Sequence, residues 1–161
     1  MPRIDRRAAL LSLLVAVAAP LAQASDVPPT DGAALLKWLQ SGGYKEWAKE
    51  SAPHRSMGPH QTLVLTYLNA PLDKSLGAKA KQNPRGSAAV KELLDAAGKL
   101  SGWAVAVKTA TESEGGKGWF WYEILGTTPG SNVVANGHGV ALCVGCHARG
   151  RDGVLTEHPL D

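Results

Sequence analysis

Cys143 and Cys146 are the only cysteines in this 161-residue chain, and His147 follows at once, so the segment reads Cys143-Val144-Gly145-Cys146-His147. Two cysteines three positions apart lie about one helical turn apart, where both thiols can add to the vinyl groups along one edge of a haem. The next residue then reaches the iron. This is the C-x-x-C-H attachment signature of a c-type haem, with Cys143 and Cys146 as thioether anchors and His147 as proximal iron ligand. The rest of the fold has to define the other axial position. Three further readings exist: a structural disulfide, a redox-active C-x-x-C, and a zinc site completed by His138 or His158. A redox C-x-x-C belongs near the start of a βα unit rather than near a C-terminus. A zinc site usually shows a second ligand pair at set spacing, which is missing here. One covalently attached haem c is the expected cofactor.

Haem attachment of this kind needs export. Arg3, Arg6 and Arg7 precede an apolar run from Ala8 to Leu21, and Ala22-Gln23-Ala24 follows, which is the layout of a cleaved signal peptide over residues 1–24. The apolar run is short for a membrane span. Arg6-Arg7 suggests a twin-arginine signal, but that route carries folded proteins, whereas c-type haem is attached after translocation; general secretion to the periplasm is the expected route. The chain holds 17 Lys+Arg and 14 Asp+Glu, of which residues 1–24 contain three Arg and one Asp, so the mature net charge falls from +3 to +1. The sequence pI of about 9.0 therefore gives no warrant for a nucleic-acid or membrane partner. Residues 25–161 suit one compact domain.

Within that domain, two short helices are expected first. Thr30 or Asp31 caps the earlier one, which carries Leu35, Leu36, Trp38 and Leu39 and stops at Gly42-Gly43; Tyr44, Trp47 and Ala48 supply a second apolar face. From Gln61 the period becomes two, and Thr62–Leu68, Ser87–Leu94, Trp103–Thr109 and Trp119–Leu125 read as strands. Asn69-Ala70-Pro71, Asn83-Pro84-Arg85-Gly86, Ala97-Gly98 and Glu114-Gly115-Gly116-Lys117-Gly118 read as turns. A final helix over roughly Asn136 to Ala148 would carry the haem motif. The expected class is α+β: a mainly antiparallel sheet with short N-terminal helices and a C-terminal helix.

Several segments carry a resemblance in their order and spacing: Thr66-Tyr67-Leu68-Asn69, Asn83 to Leu93, Gly118-Trp119-Phe120-Trp121-Tyr122, the haem motif, and Asp152-Gly153-Val154-Leu155-Thr156. From about Trp47 to Thr156 the chain resembles the cytochrome P-460 family, including its cytochrome c′-beta relatives. The last segment is similar to the family's Asp-x-Val-Phe-Thr, with Leu155 in the Phe place. The resemblance implies a β-rich haem-binding fold, often dimeric, whose open distal face binds small nitrogen species such as nitric oxide or hydroxylamine. In the cytochromes P-460 a lysine in the matching Val-Lys-Glu-Leu segment forms an additional covalent bond to the haem edge, which carries over by position to Lys91. Alternation puts Ser87, Ala89, Lys91 and Leu93 on one strand face and Ala88, Val90, Glu92 and Leu94 on the other. The alternative is a solvated Lys91 that snorkels along the rim. Hydroxylamine-oxidising members place a carboxylate on the next strand, where this chain has Ala104. Glu123, between Trp121 and Leu125, would substitute from another strand; it also reads as a solvent-facing residue of an alternating strand.

The sixth iron position has three further candidates in Pro53-His54-Arg55-Ser56-Met57-Gly58-Pro59-His60: His54, His60 and Met57, the last being the only methionine after residue 24. A methionine ligand would raise the reduction potential and favour electron transfer. Phe120 is the sole phenylalanine, whereas c′-beta proteins are associated with phenylalanines over the distal face. The expected function is a periplasmic mono-haem c-type cytochrome that binds or oxidises nitric oxide or hydroxylamine, a haem oxidoreductase in the case of turnover, with a cytochrome as candidate redox partner. A gas-binding protein without turnover and a simple electron carrier are the alternatives.

Overall fold

The structure is a computed structural model that describes residues 26–60 and 63–161; the expected signal peptide lies outside the described residues. In chain order the elements are α1 (Gly32–Gln40), β1 (Ala48–Lys49), β2 (His54–Arg55), β3 (Leu63–Leu68), α2 (Ala70–Gly77), β4 (Ala88–Leu94), β5 (Leu100–Lys108), a 3-10 turn (Glu114–Gly116), β6 (Trp119–Leu125), β7 (Asn132–His138) and α3 (Ala141–His147). The strands form one antiparallel sheet in the order β1-β3-β4-β5-β6-β7, with β2 also paired to β3. The α+β class and the mainly antiparallel sheet follow the sequence reading. The β4-β5-β6 meander is the four-strand pattern's own centre.

Three local expectations are corrected. The second N-terminal helix does not form: turns fill residues 41–46 and Ala48 opens β1. Four residues between Gly43 and a strand are too few to offset the cost of helix nucleation, so Tyr44 is a core residue of a turn and the partly buried Trp47 packs against the same core. Asn69-Ala70-Pro71 is a helix start rather than a turn. Asn69 caps α2 by accepting from Leu72 N at 3.2 Å, with Pro71 in the first turn. The same side chain accepts from Ala88 N at 2.8 Å and donates to the Gly86 carbonyl at 2.7 Å, tying the end of β3 to the start of β4. Finally, residues 132–138 form β7, an extra strand beside β6, so α3 is only Ala141–His147. Gly139, at φ +57°, supplies the left-handed turn between the two elements.

Both sheet faces are covered. On one, Ala88, Val90, Trp103, Val105, Val107, Phe120, Tyr122 and Ile124 pack on Leu35, Leu36 and Leu39 of α1. On the other, Leu68, Ala89, Ala106, Trp119 and Trp121 meet Leu72 and Leu76 of α2, the Val140–Val144 stretch, and Val154 and Leu160 of the C-terminal segment. The expected alternation of β4 holds, and Lys91 belongs to this second face.

Candidate functional site

α3 brings Cys143, Cys146 and His147 together beside β6. Both thiols are free. No residue of α3 is buried, although Leu142, Cys143 and Val144 are apolar, and Leu142 is largely exposed; a helix of this composition normally has its apolar side covered. His147 packs against the Trp121 ring at 4.6 Å between centroids, and its Nδ1–H donates to the Gly153 carbonyl at 2.8 Å. This hydrogen bond sets the tautomer and leaves Nε2 with its lone pair for a metal. Burial pushes the His147 imidazole below its ordinary pKa; the Gly153 carbonyl opposes this, and the His60 and Lys91 charges add to it. Burial, then Glu123 and Cys146, push the Cys143 thiol up to about 11.

The Gly153 carbonyl is itself held in place. Asp152 and Gly153 turn the chain through left-handed conformations, φ +52° and +80°, and the Asp152 carboxylate accepts from Lys108 Nζ at 2.6 Å, from Asn83 N at 2.7 Å and from Ser113 Oγ. Lys108 also donates to Ser113 Oγ at 2.6 Å and lies over the Trp119 ring. The side chains of Lys108 and Asp152 are almost fully buried. Burial would raise the Asp152 pKa, but Lys108, Ser113 and Asn83 outweigh it and hold the carboxyl below its usual range.

Facing α3, the sheet presents a floor of small side chains. Antiparallel register aligns Thr66, Lys91, Ala104, Glu123 and Ala135 in one row across β3 to β7. The adjacent row runs Leu68, Ala89, Ala106 and Trp121. Directly opposed residues share a face, so Ala89, Ala104 and Ala106 form a patch of methyl groups bounded by Lys91 on β4 and by Trp121 and Glu123 on β6. Two strand spacings put Lys91 and Glu123 about 10 Å apart. Lys91 is partly exposed on this face, while Val90 and Leu94 of the same strand are buried on the other; burial lowers the Lys91 pKa and the Glu50 carboxylate partly restores it. Glu123 is buried rather than solvent-facing, because β7 and the loop carrying His60 cover β6; its Oε2 lies 3.3 Å from His60 Nδ1.

No family model and no curated protein matches the chain. The site therefore rests on its own geometry. Two cavities flank His147. One, of about 270 Å³, is lined by Trp119, Trp121, Val144, His147 and the 150–153 loop; the other, of about 170 Å³, by His60, Glu123, Leu142, Cys143, Cys146 and His147. With the alanine floor and the exposed Leu142 beside them, they could hold a flat, largely apolar group anchored at two thiols and one imidazole.

The competing donors are engaged elsewhere. His138 lies against Phe120 and within 3.3 Å of Thr109 Oγ1, and His158 Nε2 pairs with Asp73 at 3.0 Å. Among the described residues no three His, Cys, Asp or Glu side chains converge as a metal site. His54 is half-exposed and pairs with Glu50, and Met57 is fully exposed; neither approaches His147. His60 does, at 6.2 Å between ring centroids. Sequence reasoning missed the Lys108–Asp152 pair and the His60–Glu123 contact. A lysine at an inward position of β5 was the available signal for the first, and the second joins residues 63 positions apart with no pattern between them.

Proposed function

We propose that this chain is a periplasmic mono-haem c-type cytochrome of the cytochrome P-460 type that binds or oxidises small nitrogen species, nitric oxide or hydroxylamine, at the haem face away from His147. The carrying observation is the convergence of Cys143, Cys146 and His147 on one helical turn beside an alanine-floored sheet face edged by Lys91 and Glu123. A haem bound there supplies an iron that takes small ligands and exchanges electrons with a partner cytochrome. Cys143 and Cys146 hold it as thioethers. His147 is the proximal ligand, with Gly153 fixing its ring. Lys91 would supply the additional covalent attachment to the macrocycle. Glu123 stands opposite Ala104 on the neighbouring strand, in the row where a distal proton acceptor is needed, and takes that role. Among the described residues no helix is long and apolar enough to cross a membrane.

Ala104 favours a second reading, a c′-beta-like gas-binding protein without turnover, because the position nearest Lys91 carries no proton-accepting group. Titrating the ferrous holoprotein with nitric oxide, and assaying hydroxylamine oxidation with an artificial electron acceptor, separates the two. The P-460 reading expects a ligand-induced change in the absorption bands together with turnover; ligand binding without turnover selects the gas-binding reading, and a spectrum unmoved by nitric oxide contradicts both.

A further inference from the structure

We propose that Tyr44 is a redox-active tyrosine that quenches oxidation of the cofactor by peroxide: it gives an electron toward the site on the opposite face of the sheet and passes its phenolic proton to Glu92. As a function this rests on the haem reading above. It adds an internal electron donor, which protects the cofactor from its own oxidising chemistry.

The sheet register carries the placement. Lys91 pairs with Ala104 in the floor of the site, and the next pair along β4 and β5 is Glu92 with Trp103. Successive residues of a strand point to opposite faces, so Glu92 and Trp103 stand back to back with the floor. Both are buried, and Trp103 shares the core beneath α1 with Tyr44. Trp103 Nε1 donates to Tyr44 Oη at 2.8 Å, and Tyr44 Oη donates to Glu92 Oε1 at 2.6 Å. An O–H donor that close to a carboxylate makes a charge-assisted hydrogen bond. Lys45 Nζ also donates to Glu92 Oε1, and Tyr67 Oη donates to Oε2 at 3.4 Å, so the buried carboxylate is paired.

A phenol that loses an electron becomes a strong acid, and it is oxidised readily where a base takes its proton at once. Tyr44 has that base in hydrogen-bond contact. Burial above all, and then Glu92, hold its pKa above the ordinary tyrosine range, so the proton stays on the phenol until oxidation. Further rings continue outward from Tyr44. Trp38 is 5.9 Å from it between centroids, Trp47 is 5.5 Å from Trp38, and both tryptophans are only partly buried. Tyr67 meets Tyr44 edge-on at 4.9 Å. The cluster is thus a path from the back of the floor to the surface, at spacings where aromatic rings are in contact.

The step balances as follows. Hydrogen peroxide takes up two electrons and two solvent protons and leaves as two waters; one electron comes from Tyr44 and the other from the haem. The Tyr44 O–H bond breaks, a bond forms between its proton and Glu92 Oε1, and a neutral phenoxyl radical and a neutral carboxyl group remain. A small-molecule reductant at the surface returns the electron through Trp47 and Trp38, and Glu92 returns the proton.

The test mixes the full ferric holoprotein, with haem content fixed by intact mass, with hydrogen peroxide and freezes it for electron paramagnetic resonance. Wild type is expected to give an organic radical whose signal narrows when its tyrosines are ring-deuterated. Tyr44→Phe loses that signal at unchanged haem mass and circular dichroism, and its haem bleaches several-fold faster in peroxide. Glu92→Gln keeps the hydrogen-bonding shape without a site for the proton and gives a markedly weaker tyrosyl signal. Trp47→Phe, altered near the surface, lengthens the life of the radical. A wild type with no tyrosyl radical overturns the proposal, as does a tyrosyl signal undiminished in both Tyr44→Phe and Glu92→Gln. A chain with no haem mass overturns the haem reading instead. Flash-oxidised ruthenium tris(bipyridine) then replaces peroxide as the oxidant, and a tyrosyl radical that persists in Tyr44→Phe rules out the redox role of Tyr44 by itself.

Discussion

At the scale of single residues, Lys91 and Ala104 decide how far the chemistry of the cytochromes P-460 extends to this chain. Lys91 lies on the same face as the alanine floor, partly buried and with its pKa lowered by that burial, which makes its neutral, nucleophilic amine more accessible than that of a solvated lysine. The cross-link is expected to shift the ferrous absorption strongly to the red of an ordinary c-type haem. Lys91→Ala should restore the ordinary spectrum while leaving both thioethers intact, as judged by mass of the haem peptide. Ala104 occupies the gap between Lys91 and Glu123 in one sheet row. With no proton-accepting group at position 104, hydroxylamine oxidation should be slow, and Ala104→Glu should raise it about 10²-fold, the lower end of the ~10²–10⁴-fold worth of a positioned proton acceptor. An unchanged rate in Ala104→Glu would place proton transfer elsewhere in the site.

At the scale of elements, α3 is a short helix whose His147 ring depends on the loop that follows it. The buried Lys108–Asp152 pair fixes that loop, and through the Gly153 carbonyl it fixes the His147 ring. Removing one partner of a buried ion pair costs about 3–5 kcal/mol. Asp152→Ala should lower stability by that amount in urea unfolding, and should broaden the iron–histidine stretching band in resonance Raman spectra. The pH dependence has a definite sign. The Asp152 carboxyl titrates below its unfolded value in the native state, so its contribution is present above about pH 4 and is lost as pH falls through the lower native pKa. Cys143 acts at the other end. Without haem, its thiol ionises near 9.0 when unfolded and at about 11 when folded, so unfolding releases a proton and stability falls as pH rises across that window. The haem-free protein should therefore lose more stability between pH 9 and 11 than its Cys143→Ala variant does. A thioether cannot ionise, so the holoprotein should not show this difference.

For the molecule as a whole, the sequence made the central strands legible and the periphery not. Trp119–Leu125 and the β4 segment were legible as short apolar runs between turn signals because both faces of the sheet are covered, whereas the register that aligns Lys91, Ala104 and Glu123 is seen only in the strand pairing. β7 was hidden because Asn132-Val133-Val134-Ala135-Asn136-Gly137 is a mixed run that gains strand structure only by pairing with β6. The helix at Ala70–Gly77 was hidden because Asn-Ala-Pro signals a turn and a helix start equally. At the site, Cys143, Cys146 and His147 were readable from local spacing. The Lys108–Asp152 clamp and the approach of His60 to Glu123 and His147 are long-range contacts that no local pattern encodes. Every functional proposal above requires that Cys143 and Cys146 carry a single haem. Intact mass of the denatured protein, purified from cells with working haem-attachment machinery, decides this. The expected species is residues 25–161 plus one haem, with no titratable thiol; an unmodified chain with two free thiols would rule the haem out.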